Sequence, residues 1–203
     1  MTTTIHLVRH AVHELLDRVL VGRNPSVGLS SAGVRQAQAL GKRFAASRTI
    51  CVQSSPQLRA RQTAEPIAQV HGLPLMIVPD VDELDMGAWS GCSFANLDGD
   101  PQWRLWNSQR SNASPPGGES MQALQHRVVD YLTHVADAYG NGEVVIVSHA
   151  EPIRAAVLHY LELSLDNYNN VQVAPASVTT ILVRGRSGEI IRNNEHIEDL
   201  AAT

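Results

Sequence analysis

The sequence predicts an α/β fold: a three-layer α/β/α sandwich with a mostly parallel central sheet and a short cap insertion. Three observations carry this expectation. Short β-branched runs alternate with longer amphipathic stretches across short joints, the pattern of a parallel sheet covered by helices. Two of those runs, Ile5-His6-Leu7-Val8 and Val144-Val145-Ile146-Val147, lead directly to a histidine, His10 and His149 respectively. The 203 residues are 43% hydrophobic and no Pro/Gly/Ser linker or charge run divides them, so one sizeable core and a single domain over 1–203 are expected.

The elements follow in order. Residues 4 to 9 are too few for an ordinary helix and rich in strand formers, which leaves His10 at a strand's carboxyl end, where ligands of open α/β sheets bind. A loop over 10 to 30 precedes a helix over 31 to 46; Ser30 or Ser31 can cap it, and Val34, Ala37, Leu40 and Phe44 share one stripe. A strand over 50 to 53 and a Ser-Pro break lead to a helix over 57 to 71, with Arg59 in its first turn, where unpaired N–H groups favour anions. Then come a strand over 75 to 78, an aromatic and polar excursion over 84 to 118, a helix over 119 to 139 and a strand over 143 to 148. A helix over 151 to 162 and a strand over 178 to 183 complete the pattern, and a turn at Arg186-Ser187-Gly188-Glu189 introduces a short edge strand over 189 to 191.

Composition bounds the function. A net charge of −4 gives no basic footprint for nucleic acid or an anionic membrane, and no apolar stretch approaches spanning length. The start at Met1-Thr2-Thr3-Thr4 leads straight into the first strand, so no signal peptide is expected. Cys51 and Cys92 are too few for a disulfide framework and lack a C-x-x-C spacing, which suits a reducing cytoplasm. The run His6-x-x-x-His10-x-x-His13 invites a metal reading, but His6 is mid-strand and carboxylates at ligand spacing are missing, so no metal is expected.

Six motifs occur in order along nearly the whole chain: Arg9-His10; Leu29-Ser30-x-x-Gly33; Ser54-Ser55-Pro56-x-x-Arg59-Ala60-x-Gln62-Thr63; Glu83-x-x-x-Gly87-x-Trp89-x-Gly91; Gly117-Gly118-Glu119-Ser120; and Val147-Ser148-His149. Together they resemble the histidine phosphatase (phosphoglycerate mutase-like) superfamily. The resemblance implies a metal-independent, cofactor-free phosphatase that hydrolyses a small phosphomonoester through a phosphohistidine on His10. It assigns Arg9, Arg59 and His149 to the phosphoryl group, with His10 neutral and His149 protonated, two states that need opposite environments. Arginine forks can grip two phosphoryl oxygens at once. Spacing alone does not choose among Asp82, Glu83 and Asp85 for the acid that protonates the leaving oxygen; the motif register selects Glu83.

All three tryptophans, Trp89, Trp103 and Trp106, fall in the excursion with Phe94. They either pack a small core of their own or form a cap, about 92–118, over the leaving group, and Arg23 is a further substrate-contact candidate. Ala11 and Ala150 stand where the family usually has glycine, and Leu16 where many members have an asparagine. The alternatives are a phosphoglycerate mutase, disfavoured by the short cap, and an inactive phospholigand-binding scaffold, disfavoured by the joint presence of Arg9, His10, Arg59, Glu83 and His149. The expected partner is a small phosphorylated metabolite, and the expected state a monomer or homodimer in the cytoplasm.

Overall fold

Strands buried on both faces form the centre of the molecule, and the side-chain alternation along them assigns each face to a pair of helices. The computed structural model describes residues 1–196. In chain order it holds β1 (Thr3–Arg9), α1 (Ser31–Phe44), β2 (Thr49–Ser54), α2 (Leu58–His71), β3 (Leu75–Ile77), α3 (Phe94–Leu97), α4 (Pro101–Trp106), α5 (Met121–Tyr139), β4 (Glu143–Ser148), α6 (Ala150–Tyr160), β5 (Val178–Arg184) and β6 (Ser187–Glu195). Ile5 and Leu7 of β1 and Val144 and Ile146 of β4 pack with Leu124, Val128 and Leu132 of α5 and Ile153 and Val157 of α6. Val8, Val145 and Val147 point the other way, against Leu40 and Phe44 of α1 and Ala60, Ala64 and Ile67 of α2. Burial on both faces is why these strands read as continuous apolar runs.

The sheet order is β3-β2-β4-β1-β5-β6. The first four strands are mutually parallel, β5 is antiparallel to β1, and β6 is antiparallel to β5, giving a mixed but mostly parallel sheet. The neighbours β1 and β4 are in register with Arg9 opposite Ser148, so His10 and His149 leave the same sheet edge side by side.

Three local expectations change. Val34 is exposed, and the buried stripe of α1 runs through Gly33, Ala37, Leu40, Gly41 and Phe44. The reason is close approach: a Cβ on Gly33 would lie 2.0 Å from the Val12 carbonyl oxygen, and one on Gly41 would lie 2.9 Å from that of Pro66 in α2. Strand β6 is longer than 189–191, because backbone pairing with β5 carries the polar stretch Arg192–Glu195, which has no apolar alternation to announce it. The excursion contains two short helices. Ser93 caps α3, and Asp100 caps α4 with Pro101 at its first position, a start signal that the sequence does carry.

Candidate active site

His10 is nearly fully buried, with its backbone N–H donating to the Ser148 carbonyl at 2.9 Å. Its Nδ1 lies 2.9 Å from the carbonyl oxygen of Ala11. A carbonyl only accepts, so Nδ1 carries the hydrogen and Nε2 keeps its lone pair. Burial, then His149, Arg59 and Arg9, hold this imidazole well below its ordinary range, which leaves it neutral at physiological pH.

The His149 ring lies 5.1 Å from that of His10, centroid to centroid. Arg59 Nη2 donates to His149 Nδ1 at 3.2 Å, so the hydrogen sits on Nε2, which donates to Ser55 Oγ at 2.7 Å. Ser55 in turn donates to Asp82 Oδ1 at 2.9 Å. Burial takes the His149 pKa down to about 3 against the opposing pull of Asp82. Both histidines are held neutral, because both are deeply buried beside the same two arginines.

Those arginines are tethered by backbone carbonyls. Arg9 Nη1 donates to Val173 at 2.7 Å, and Arg59 donates to Gly22 at 2.7 Å and to Asn24 at 3.3 Å. Among the described residues, the buried Nε atoms of both Arg9 and Arg59 have no partner. Two cations with unpaired donors, facing one cavity without a carboxylate bonded to either, make an anion site.

The three neighbouring carboxylates have separate fates. Asp82 accepts from Ser55, from Gln57 Nε2 at 2.8 Å and from the Glu83 N–H at 2.8 Å. Burial alone would raise its pKa, but the nearby His149, with Nε2 3.5 Å from Asp82 Oδ1, and the hydrogen bond from Gln57 hold it at about 2. Asp85 turns away and accepts from the Gly87 N–H at 2.9 Å. Glu83 faces the cavity, and the only hydrogen bond to its carboxylate among the described residues comes from the Leu84 N–H at 2.9 Å. Burial and then the negative charge of Glu151 push its pKa up to about 7.

The cavity holds about 410 Å³, and Arg9, His10, Arg59 and Glu83 are in its wall. Trp103 and Phe94 form part of that wall; Trp89 and Trp106 do not. Trp106 is fully buried, and Trp89 is locked by its Nε1 donating to Asp100 at 3.0 Å, with Trp103 edge-on at 5.2 Å. The aromatic excursion is thus divided: Trp89 and Trp106 join the hydrophobic core shared with α5 and α6 rather than a small core of their own, while Phe94 and Trp103 form part of the wall. Arg23 is also absent from the wall: its Nε donates to the Glu83 carbonyl at 2.7 Å and its Nη2 to Glu119 at 2.8 Å, which holds the Glu83 backbone.

Neither Ala11 nor Ala150 has a positive φ, so neither alanine is strained for want of glycine. Ala11 donates its N–H to Thr63 Oγ1 at 3.0 Å, and Leu16 presents an apolar side chain to the cavity. Sequence reasoning did not assign Arg110, Glu151, Arg154 or His13 to the site, and all four line the cavity. Arg110 and Arg154 each donate to Glu151 at 2.6 Å, joining the segment after α4 to the first turn of α6, and His13 sits beside His10. No spacing signal links Arg110 to Glu151, and His13 drew notice only through a metal reading. Among the described residues no three His, Cys, Asp or Glu side chains group as metal ligands.

Comparison with known proteins bears on this geometry. The sequence profile of the Histidine phosphatase superfamily (branch 1) matches residues 5–196. The Bifunctional protein Rv2228c of Mycobacterium tuberculosis is 33% identical over 166 residues, 81% of this chain, which spans 44% of that protein's length. Phosphoserine phosphatase 1 of Hydrogenobacter thermophilus is 30% identical over 193 residues, covering 93% of this chain and 90% of the relative. A crystal structure of a phosphoserine phosphatase mutant from Entamoeba histolytica in complex with phosphoserine shares the fold, with a TM-score of 0.86 at 23% identity over 98% of this chain and 99% of that one. With the profile running from the first strand to the last, and two neutral histidines and two unpaired arginine donors converging at one sheet edge, this chain belongs to the histidine phosphatase superfamily.

Proposed function

We propose that this protein is a phosphatase that hydrolyses a small phosphomonoester through a phosphohistidine at His10, without a metal or cofactor. The observation that carries this reading is the fixed tautomer of His10: its Nδ1–H is committed to the Ala11 carbonyl, so Nε2 is a free nucleophile on the cavity side of two arginines. The reaction then follows. Nε2 attacks phosphorus while Arg9 and Arg59 hold the phosphoryl oxygens, and the bond to the leaving oxygen breaks. Glu83, whose pKa of about 7 keeps it largely protonated up to neutrality, gives its proton to the departing alkoxide. The new phosphoimidazolium is stabilised through its Nδ1–H by the Ala11 carbonyl. Water next attacks phosphorus, Glu83 takes a proton from it, and the P–N bond breaks to return the free imidazole.

His149 acts in this reading as a neutral ring that orients Arg59 and passes its Nε2–H through Ser55 to the anionic Asp82. A phosphoryl dianion at the arginines adds the negative charge that raises the basicity of both histidines. The substrate is a small phosphorylated metabolite rather than a nucleic acid or a membrane surface, with Phe94 and Trp103 against its leaving group. The protein works as a cytoplasmic monomer or homodimer.

Rapid quench with a phosphate-labelled substrate tests the central step. The label should be acid-labile, alkali-stable and absent from His10→Ala. An alkali-labile adduct, or a label that survives in His10→Ala, would overturn the assignment.

A further inference from the structure

His13 is a buried imidazole at this site with no part in the proposed reaction. It follows His10 by three residues in the loop beyond β1, and it faces the cavity with only 5% of its surface exposed. Its ring is tilted 32° from that of His10, with centroids 5.4 Å apart. Among the described residues its buried Nδ1 has no hydrogen-bond partner. An unpaired buried donor or acceptor costs roughly 1–3 kcal/mol, so a structural histidine normally has both nitrogens satisfied.

His6 shows what such a histidine looks like in this same chain. Its Nδ1 meets Thr180 Oγ1 at 3.0 Å and its Nε2 meets Glu143 Oε1 at 3.1 Å, and its ring packs edge-on against Phe44 at 5.3 Å. The histidine run that invites a metal reading therefore divides: His6 is fastened to the sheet, while His10 and His13 share the cavity. His13 is left open in the same way as Arg9 and Arg59, whose buried Nε atoms are also unpaired. All three residues line the same cavity. The apolar side chain at Leu16 leaves this stretch of wall without a donor of its own.

We propose that His13 is a phosphoryl-binding residue that donates a ring N–H to an oxygen of the phosphoryl group held by Arg9 and Arg59. This rests on the phosphatase reading. It adds a third imidazole to a site whose other two have separate tasks: His10 attacks phosphorus and His149 orients Arg59. Unliganded His13 is neutral, because burial and the charges of Arg59 and Arg9 lower its pKa to about 4. A neutral imidazole has one N–H to give, so the contact needs no prior protonation.

The test compares wild type with His13→Phe, which keeps an aromatic ring but has no donor, and with His13→Asn, which keeps one. Vanadate and inorganic phosphate are the probes, read as inhibition constants, alongside the first-turnover rate on p-nitrophenyl phosphate. A lost hydrogen bond to a charged oxygen predicts vanadate and phosphate inhibition weaker by roughly tenfold to a hundredfold in His13→Phe. KM should rise with it, and His13→Asn should recover part of the loss at wild-type melting temperature. Inhibition constants within about twofold of wild type in a folded His13→Phe would overturn the proposal.

If His13→Phe does not fold, the ring nitrogens of wild-type His13 can be followed by NMR as vanadate is added. Movement of one supports the contact, and fixed signals overturn it. A wild type that neither hydrolyses phosphomonoesters nor binds vanadate would overturn this proposal and the phosphatase reading together. An active wild type insensitive to changes at His13 would overturn this proposal alone.

Discussion

At Glu83 the decisive property is a proton held near neutral pH. Burial disfavours its anion and Glu151 repels it, while Arg59 and Arg9 oppose both without reaching hydrogen-bond contact. If Glu83 protonates the leaving oxygen, Glu83→Gln should slow the first turnover of an alkyl phosphate by about 10² to 10⁴, since the amide keeps the shape but cannot release a proton. An activated aryl phosphate should lose much less. The wild-type alkyl rate should fall as pH rises through about 7, as the acid form is lost. Stability has a matching sign. The folded carboxyl binds its proton more tightly than the unfolded one, so its contribution declines from pH 4.5 to about 7, and Glu83→Gln should raise the melting temperature above pH 7 but not at low pH. Equal losses for alkyl and aryl substrates in the first turnover would show that Glu83 positions the phosphoryl group instead.

At the scale of elements, the site depends on two ties. The first joins the start of α1 to the loop between His10 and His13: Ser30 donates both its N–H and its hydroxyl to the Val12 carbonyl, at 3.0 and 3.1 Å, and its oxygen accepts from the Gly33 N–H at 3.1 Å. A Cβ on Gly33 would meet that carbonyl at 2.0 Å, and backbone on both sides has nowhere to go. Gly33→Ala should therefore cost about 1–3 kcal/mol in urea denaturation and, by moving the histidine loop, reduce kcat/KM in the molecules that still fold. Wild-type stability in that variant would contradict the packing argument. The second tie is Glu151, clamped between Arg110 and Arg154, with the Arg110 guanidinium 3.5 Å from the Tyr168 ring centroid. Glu151→Gln leaves the buried Arg110 without its counter-charge, so a loss of about 3 kcal/mol is expected. It also removes a charge that raises Glu83, so the alkaline limb of the alkyl rate should move to lower pH. A limb that stays in place would separate Glu151 from Glu83.

For the whole molecule, a net charge of −4 coexists with a cavity into which four arginines project, Arg9, Arg59, Arg110 and Arg154. In the phosphatase reading, phosphate recognition is therefore focused at one end of the sheet rather than spread over the surface. With a phosphoglycerate and a bisphosphoglycerate primer, phosphate release should exceed exchange between the 2- and 3-phosphoglycerates, because a short insertion over the leaving group does not easily keep water from the phosphohistidine. Faster exchange than release would favour the mutase reading. EDTA should leave the rate unchanged, and activity lost to EDTA and restored by zinc would replace the histidine mechanism with a metal one.

The sequence by itself determined the α/β alternation, the parallel strands that deliver His10 and His149, and the arginines beside them. These are local matters: a β-branched run long enough for a strand, a polar break, and an amphipathic stretch whose period survives without tertiary help. It also carried the six motifs that bring Glu83 forward among three neighbouring carboxylates. Tertiary structure alone decided the division among those carboxylates, because Asp82 is claimed by Ser55 and Gln57, and Asp85 by Gly87, through contacts that sequence spacing does not encode. It decided which tryptophan reaches the cavity, and it set the strength of burial at His149, since that depends on how many layers close over the ring. It also separated His6 from His13, two histidines of one short run. One finds its partners in β4 and β5, and the other lines the cavity with a buried nitrogen left unpaired among the described residues, a difference that arises only when distant strands assemble around them.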